Sequence, residues 1–78
     1  MKHHRLKTEP NYFKDIVVNA KKFELRKNDR DFQIGDMVTL REWHDGYYSG
    51  FEKTITIKYI LKDCPEYGLQ DGYCIFGW

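Results

Sequence analysis

The sequence has few of the features that mark membrane, secreted or disordered proteins. Its longest uninterrupted apolar runs are three or four residues, far short of the ~20 that a membrane helix needs. No apolar stretch follows the basic start at residues 1–5, so we expect no signal peptide. Hydrophobic residues at 41% and charged residues at 32% exclude an obviously disordered chain. We therefore expect a small soluble domain in the cytoplasm, with no membrane partner.

Metal ligands and reactive thiols are also scarce. The chain has two cysteines, Cys64 and Cys74, and neither has a Cys or His neighbour at metal-ligand spacing. We predict two free thiols, with Cys74 half-buried in a strand, and neither a metal nor a cofactor. His3 and His4 lie at a terminus that we expect to be mobile. His44 lies in a glycine-containing loop that we predict to be a surface turn.

Aromatic side chains, by contrast, are abundant and make up 17% of the 78 residues. A chain this short buries only about 60% of the surface that its unfolded form exposes, and aromatic residues fill a small core with few side chains. The length leaves room for one domain, so we predict a single domain over residues 1–78. The sequence pattern does not indicate an oligomeric state.

The net charge of +1 conceals an uneven distribution along the chain. Residues 1–30 carry nine Lys or Arg and four Asp or Glu, a net of +5, whereas residues 31–78 carry four basic and eight acidic residues, a net of −4. Such asymmetry is typical of a protein with a face that binds a polyanion. Folding can equally disperse the charges over the surface, so the charge pattern leaves both interpretations open.

Hydrophobic spacing predicts one helix followed by several strands. Thr8 and Pro10 are typical of a helix start, as a hydroxyl cap and a first-turn proline, and apolar residues recur at helical spacing as far as Ala20. From Lys22 the period changes to two. The predicted elements are a short strand at Leu6–Thr8, a helix at Pro10–Ala20, a strand from Phe23, and strands at Met37–Trp43, Lys53–Leu61 and Tyr73–Trp78. This order favours a small mixed or closed barrel, because closure removes exposed sheet edges.

The segment 19–26 contains the most informative charge pattern. Period-two spacing places Glu24 and Arg26 on one strand face and the apolar residues on the other, with Lys21 just before the strand. A carboxylate and a guanidinium on one face can pair and leave N–H donors for an anion or a base edge. A solvated, salt-bridged sheet face explains the same spacing equally well.

Lys21, Glu24 and Arg26 also match the signature Gly-x-Lys-x-x-Glu-x-Arg, through which the chain resembles the ASCH domain family, a branch of the PUA-like β-barrels. Asn19 stands where that family usually has glycine. Asparagine is common among the non-glycine residues in left-handed conformations, so we expect the turn to persist. The resemblance extends to a bacterial and phage branch of unknown function and spans nearly the whole chain. The further matching residues are His4, Leu6, Lys7, Thr8, the string 23–32, Gly35, Asp36, Gly72 and Tyr73.

This resemblance implies an α+β fold, namely a small PUA-like β-barrel of about five strands with one N-terminal helix packed against it. It also implies a cleft between helix and sheet that binds RNA or a nucleotide-like ligand. Basic side chains would neutralise phosphates, and Arg26 would fork onto a phosphate or a guanine edge. Loop tyrosines would stack on an unpaired base, although packing within the loop accounts for them equally well, and we expect Trp43 in the core. The predicted binding residues are Lys7, Lys21, Glu24, Arg26, Lys27, Asn28, Arg30, Tyr47 and Tyr48.

An enzymatic function is the alternative. A related small ASCH-like branch, which this chain resembles in length and in Lys21, is an amidohydrolase that deacetylates N4-acetylcytidine. There a threonine nucleophile stands at the position of Glu24, whose carboxylate lacks the hydroxyl that such a step needs. Lys21 and Glu24 are candidates for other acid–base chemistry on a modified nucleoside, with Glu66 as the nearest late acid. We favour binding over catalysis, and a protein-interaction or regulatory module is a third interpretation.

Overall fold

The computed structural model describes all 78 residues, from Met1 to Trp78, as six strands, one α-helix and one 3₁₀ turn. Neither helical segment is long and apolar enough to cross a membrane. The elements are, in chain order, β1 (His3–Thr8), α1 (Pro10–Val17), β2 (Phe23–Lys27), β3 (Met37–Trp43), β4 (Tyr48–Thr56), β5 (Tyr59–Lys62), the 3₁₀ turn (Pro65–Tyr67) and β6 (Tyr73–Gly77).

The strands form two sheets of three strands each. In the first sheet the order is β1-β3-β4, with β1 parallel to β3 and β4 antiparallel to it. In the second the order is β2-β6-β5, and all neighbours are antiparallel. The parallel β1–β3 pair requires a long connection, and this connection contains both α1 and β2. The helix and the segment 19–26 therefore both lie in the connection that follows the carboxyl end of β1.

The predicted five-stranded closed barrel is wrong. Both sheets are open, so the fold is mostly β with one short helix, and the helix packs against β3 rather than against a barrel wall. The sequence predicted one strand at Lys53–Leu61, but the chain leaves the first sheet after Thr56 and enters the second at Tyr59. Ile57 is buried whereas Tyr59 is exposed, so the alternation breaks where the chain changes sheets. A single period-two pattern ran through both strands and concealed this break.

The two residues at the break join the sheets. The N–H of Ile57 donates to the carbonyl of Asp36, and the N–H of Lys58 donates to the carbonyl of Gly77, over 2.9 and 2.8 Å. Asp36 directly precedes β3 in the first sheet, and Gly77 ends β6 in the second. Each bond therefore extends the ladder of its own sheet, and the two sheets are connected at this corner by the backbone between Ile57 and Lys58.

Helix α1 begins as predicted at Pro10, but its cap differs from the prediction. The capping residue is Glu9, in extended conformation, and its backbone carbonyl accepts hydrogen bonds from the N–H groups of Tyr12 and Phe13. No side chain caps the helix. The hydroxyl of Thr8, which was predicted to cap the helix, therefore makes no capping hydrogen bond.

The helix ends at Val17, three residues before the predicted Ala20. Asn19 has a φ of +63°, the left-handed conformation expected of it, and it turns the chain out of the helix. The N–H groups of Ala20 and Lys21 both donate to the carbonyl of Asp15, over 2.9 and 3.0 Å. These bonds hold the end of the turn and place Lys21 just ahead of β2.

The core lies between the two sheets and the buried face of the helix. Cys74 is fully buried rather than half-buried as predicted, and burial raises the pKa of its thiol. Both cysteines are free. Nine buried residues form one cluster, namely Leu6, Ile16, Phe32, Val38, Leu40, Ile55, Ile57, Cys74 and Phe76.

The N-terminal strand is held in the fold by a buried hydrogen bond between His4 and Asp36, so the prediction that His3 and His4 are mobile is wrong. His4 Nε2 lies 2.8 Å from Asp36 Oδ2, and its ring packs edge-on against Phe32. The backbone N–H groups of Lys2 and Gln33 also donate to the Asp36 carboxylate, over 3.0 and 3.1 Å. Burial opposes ionisation of this carboxyl group, but these hydrogen bonds outweigh it and hold the pKa of Asp36 below its ordinary value.

Candidate functional site

Glu24 is the buried residue of β2. Its side chain shares a strand face with Arg26, as predicted, and the residue is only 5% exposed, whereas its apolar neighbours Phe23 and Leu25 are exposed. This reverses the usual alternation, in which charged side chains face water. A solvated sheet face therefore does not describe this strand, and the carboxylate needs partners inside the fold.

Two cations supply those partners. Lys21 Nζ contacts Glu24 Oε1, and Arg26 Nε donates to Glu24 Oε2 over 2.9 Å. The side chains of Lys21 and Arg26 are 17% and 27% exposed, so both cations retain a solvent-facing side. Arg26 Nη2 also donates to the carbonyl of Lys7 over 2.6 Å, which connects β2 to the end of β1.

These charged groups line a cleft of about 450 Å³ between the start of α1, the end of β1 and β2. Thr8 contributes a hydroxyl that is buried and has no hydrogen-bond partner. Such a group is costly to bury unpaired, and its position in the lining makes it a natural partner for a ligand. The lining residues are Lys7, Thr8, Glu9, Tyr12, Lys21, Phe23, Glu24, Leu25 and Arg26.

The cleft retains unused hydrogen-bond donors. Arg26 uses its Nε proton and one Nη2 proton, so its remaining N–H groups are free. Lys21 donates to Glu24 and to the carbonyl of Phe23, which leaves one ammonium proton. Lys7 Nζ lies 4.1 Å from the centre of the Trp43 ring and makes no hydrogen bond. Glu24 thus orients two cations whose outer donors face the cleft.

Aromatic rings flank these cations. Lys21 Nζ lies 4.9 Å from the centre of the Phe23 ring and 5.5 Å from that of Tyr12, within cation–π distance of both. Tyr12 and Phe23 are both exposed although the sequence pattern assigned Tyr12 to the apolar helix face. Their rings are therefore available to a planar ligand.

A second hollow, of about 590 Å³, adjoins the cleft at Glu9. Tyr47 stacks on His44 at a centroid distance of 5.3 Å, and Trp43 is half-buried here rather than in the core. His44 pairs with Glu42 over 3.0 Å, and this hydrogen bond lowers the pKa of the Glu42 carboxyl group. The lining residues are Glu9, Pro10, Asn11, Trp43, His44, Asp45 and Tyr47.

The structure separates the 27–30 loop from the cleft. Lys27, Asn28 and Arg30 are not among its lining residues. The Asn28 side chain accepts a hydrogen bond from the N–H of Phe32, and Arg30 Nη1 donates to the carbonyl of Arg5. Asn28 and Arg30 therefore brace neighbouring backbone, and the loop is not brought together with Lys21, Glu24 and Arg26.

Tyr48 also lies outside both hollows. It begins β4 instead of lying in the predicted loop, and its ring meets Trp43 edge-on at 4.7 Å and Arg41 at 3.7 Å. Of the two predicted tyrosines, Tyr47 lines the second hollow, and Tyr48 lines neither that hollow nor the cleft.

Sequence reasoning missed five residues of the cleft, namely Thr8, Glu9, Tyr12, Phe23 and Leu25. Thr8 was predicted to cap the helix and Glu9 to be an acidic residue at its start, and the three apolar residues were assigned to apolar faces. The one signal that could have indicated them was position, since all five lie within two residues of an end of α1 or β2. Glu66, considered as a late acid, lies in the 3₁₀ turn and does not line the cleft.

Fold and site together define a small, mostly β domain with a cationic cleft beside its helix. The chain belongs to the domain family of unknown function DUF3850, which matches residues 3–78. It is also similar to the "Uncharacterized 12.9 kDa protein in GpA 3'region" of Escherichia phage P2, with 37% identity over 65 residues. The match covers 81% of this chain and 60% of the phage protein. The predicted relation to a family of unknown function with phage members is thereby confirmed.

Proposed function

We propose that this domain binds a nucleotide unit, presented by single-stranded RNA or as a free nucleotide-like ligand, in the cleft formed by Lys21, Glu24 and Arg26. The observation that carries the proposal is that the three residues of the ASCH-like signature line one cleft together with Lys7 and the unpaired hydroxyl of Thr8. As part of this proposal, we assign the domain to the ASCH branch of the PUA-like families.

The dimensions of the cleft suit such a ligand. A volume of about 450 Å³ falls within the ~300–1,000 Å³ of small-molecule sites. Lys7, Lys21 and Arg26 supply donors for a phosphate, and the rings of Tyr12 and Phe23 offer surfaces on which a base can stack. Each kind of nucleotide group therefore has a counterpart among the lining side chains.

Glu24 positions the cations of this site. Its two carboxylate oxygens hold Lys21 and Arg26 side by side, which reduces the side-chain entropy that the two lose when a ligand binds. The carboxylate also cancels part of their charge, and Glu9 adds a second negative charge to the lining. We therefore expect modest affinity with a shallow salt dependence, of about −0.7 in logarithmic slope for each phosphate contact with a single strand.

The test is a titration of the protein with single-stranded RNA, duplex RNA and DNA at two salt concentrations. We expect salt-sensitive binding of the single strand and a loss of about tenfold or more in Arg26→Ala, which removes charge-assisted hydrogen bonds. Arg26→Lys keeps the charge without the planar fork and should bind with intermediate affinity. Lys62→Ala is the matched control, because this exposed lysine lies on β5, separated from β2 by β6.

Unchanged affinity in Arg26→Ala and Lys21→Ala, both shown to be folded by circular dichroism, would exclude the cleft as the binding site. Binding to none of the polymers would direct attention to the alternative, hydrolysis of an acylated nucleoside. For that reaction the cleft offers the contact between Lys21 and Glu24, but Glu24 is already paired with two cations and Glu66 lies elsewhere. Turnover that Lys21→Ala abolishes would support it.

A further inference from the structure

We propose that the second hollow binds the base of the adjacent nucleotide, so that the ligand is a single strand of at least two nucleotides whose linking phosphate contacts Lys7. This inference rests on the proposed function of the cleft and extends it. The cleft and the hollow meet at Glu9, which lines both. A ligand that occupies the cleft can therefore continue into the hollow.

Lys7 lies at the boundary between the two spaces. It lines the cleft, while its ammonium group is 4.1 Å from the centre of the Trp43 ring, which lines the hollow. The strand register explains this position, because Lys7 is the partner of Arg41 and Thr8 that of Glu42 in the parallel β1–β3 pair. The end of β1 therefore lies beside the end of β3, where Trp43 follows.

The free ammonium protons of Lys7 suit a phosphodiester at this boundary. Lys7 is exposed, and its side chain makes no hydrogen bond or ion pair. The attraction to Trp43 holds the ammonium group over one ring face without using its N–H donors. A phosphate linking a nucleotide in the cleft to one in the hollow would accept these donors.

The lining of the hollow favours a base over a second phosphate. Its charged groups are the carboxylates of Glu9 and Asp45, and it contains no lysine or arginine. Tyr47 is 62% exposed and stacks one ring face on His44 with an interplanar angle of 11°. A base can therefore stack against the exposed side of Tyr47, as bases do on the aromatic residues of proteins that bind single strands.

The experiment compares cytidine 5′-monophosphate, the dinucleotide CpC carrying a 5′-phosphate and the corresponding cytidine trinucleotide by NMR titration of the intact protein. We expect CpC to bind at least about tenfold more tightly than the mononucleotide, because the second base gains a stacking partner. Tyr47→Ala should reduce that advantage without weakening mononucleotide binding, and Lys7→Gln should weaken the binding of CpC more than that of the mononucleotide. Tyr67→Ala is the matched control for Tyr47, since Tyr67 is 85% exposed and lines neither space, and Lys62→Gln is the control for Lys7.

Two results would overturn the inference in distinguishable ways. Equal affinity for mononucleotide and CpC, unaffected by Tyr47→Ala but lost in Arg26→Ala, would reject the second base site and leave the function of the cleft intact. Absence of binding to any of the three ligands would reject both. An equal loss in Tyr47→Ala and Tyr67→Ala would show that the affinity arises from nonspecific aromatic contact, and would also reject the second base site.

Discussion

The charge cluster in the cleft makes Glu24→Gln the most informative substitution for stability. The buried carboxylate accepts charge-assisted hydrogen bonds from Lys21 and Arg26, and removing one partner from a fully buried ion pair costs about 3–5 kcal/mol. Here the two cations retain 17% and 27% exposure, so solvent stabilises them in part, and the Gln carbonyl keeps one hydrogen bond. We therefore expect a loss of about 2 kcal/mol, a fall in Tm of roughly 8–16 °C for a domain of this size.

The matched control is Glu52→Gln. Glu52 pairs with Arg41 over 3.6 Å, and both side chains are well exposed, at 55% and 36%. An exposed ion pair contributes about 0–1 kcal/mol, so this variant should melt within a few degrees of the wild type. Thermal unfolding followed by circular dichroism, with urea unfolding as a second measurement, distinguishes the two. If Glu24→Gln is as stable as Glu52→Gln, the reasoning that Glu24 is a buried, paired carboxylate is wrong.

Three further predictions follow from buried or strained groups outside that ion pair. Thr8→Val should raise the free energy of unfolding by about 1 kcal/mol, because it removes an unpaired buried hydroxyl. The same variant should bind the nucleotide more weakly, whereas Thr8→Ser should preserve binding. Thermal unfolding tests the change in stability, and a ligand titration tests the change in affinity. Asp36→Asn should destabilise the protein by on the order of 1 kcal/mol at neutral pH. Since the pKa of Asp36 is lowered in the fold, its ionised form stabilises the protein above its ordinary pKa of about 3.9. Urea unfolding should therefore show that the difference in stability between Asp36→Asn and the wild type shrinks as the pH falls below that value. Asn19→Ala should lower the free energy of unfolding by about 1 kcal/mol, because residue 19 has a φ of +63° that alanine disfavours. Asn19→Gly should not lower it, and equal melting temperatures of the two variants would contradict this prediction.

Predictions that depend on neighbours in the sequence were largely confirmed. The start of the helix at Pro10, the strand at Met37–Trp43 and the left-handed turn at Asn19 match the structure. So does the shared face of Glu24 and Arg26. Each follows from local stereochemistry, namely the fixed φ of proline, the period of a strand or the conformational preference of asparagine.

Predictions that required distant parts of the chain failed or could not be made. The barrel was wrong because the isoleucine alternation continues through the point at Ile57 where the chain changes sheets. The sequence likewise gave no sign that His4 is buried, since its partner Asp36 lies 32 residues away.

The candidate site shows the same difference between what neighbouring residues predict and what distant contacts decide. The sequence by itself determined that Lys21, Glu24 and Arg26 would lie together, because Lys21 precedes Glu24 by three residues and Arg26 follows it by two along one turn and one strand. Only the tertiary structure decided that Glu24 is the buried member, that Thr8 joins the cleft and that the 27–30 loop does not. Burial depends on which sheet face packs inward, and the parallel pairing of β1 with β3 is a long-range contact that no local pattern encodes.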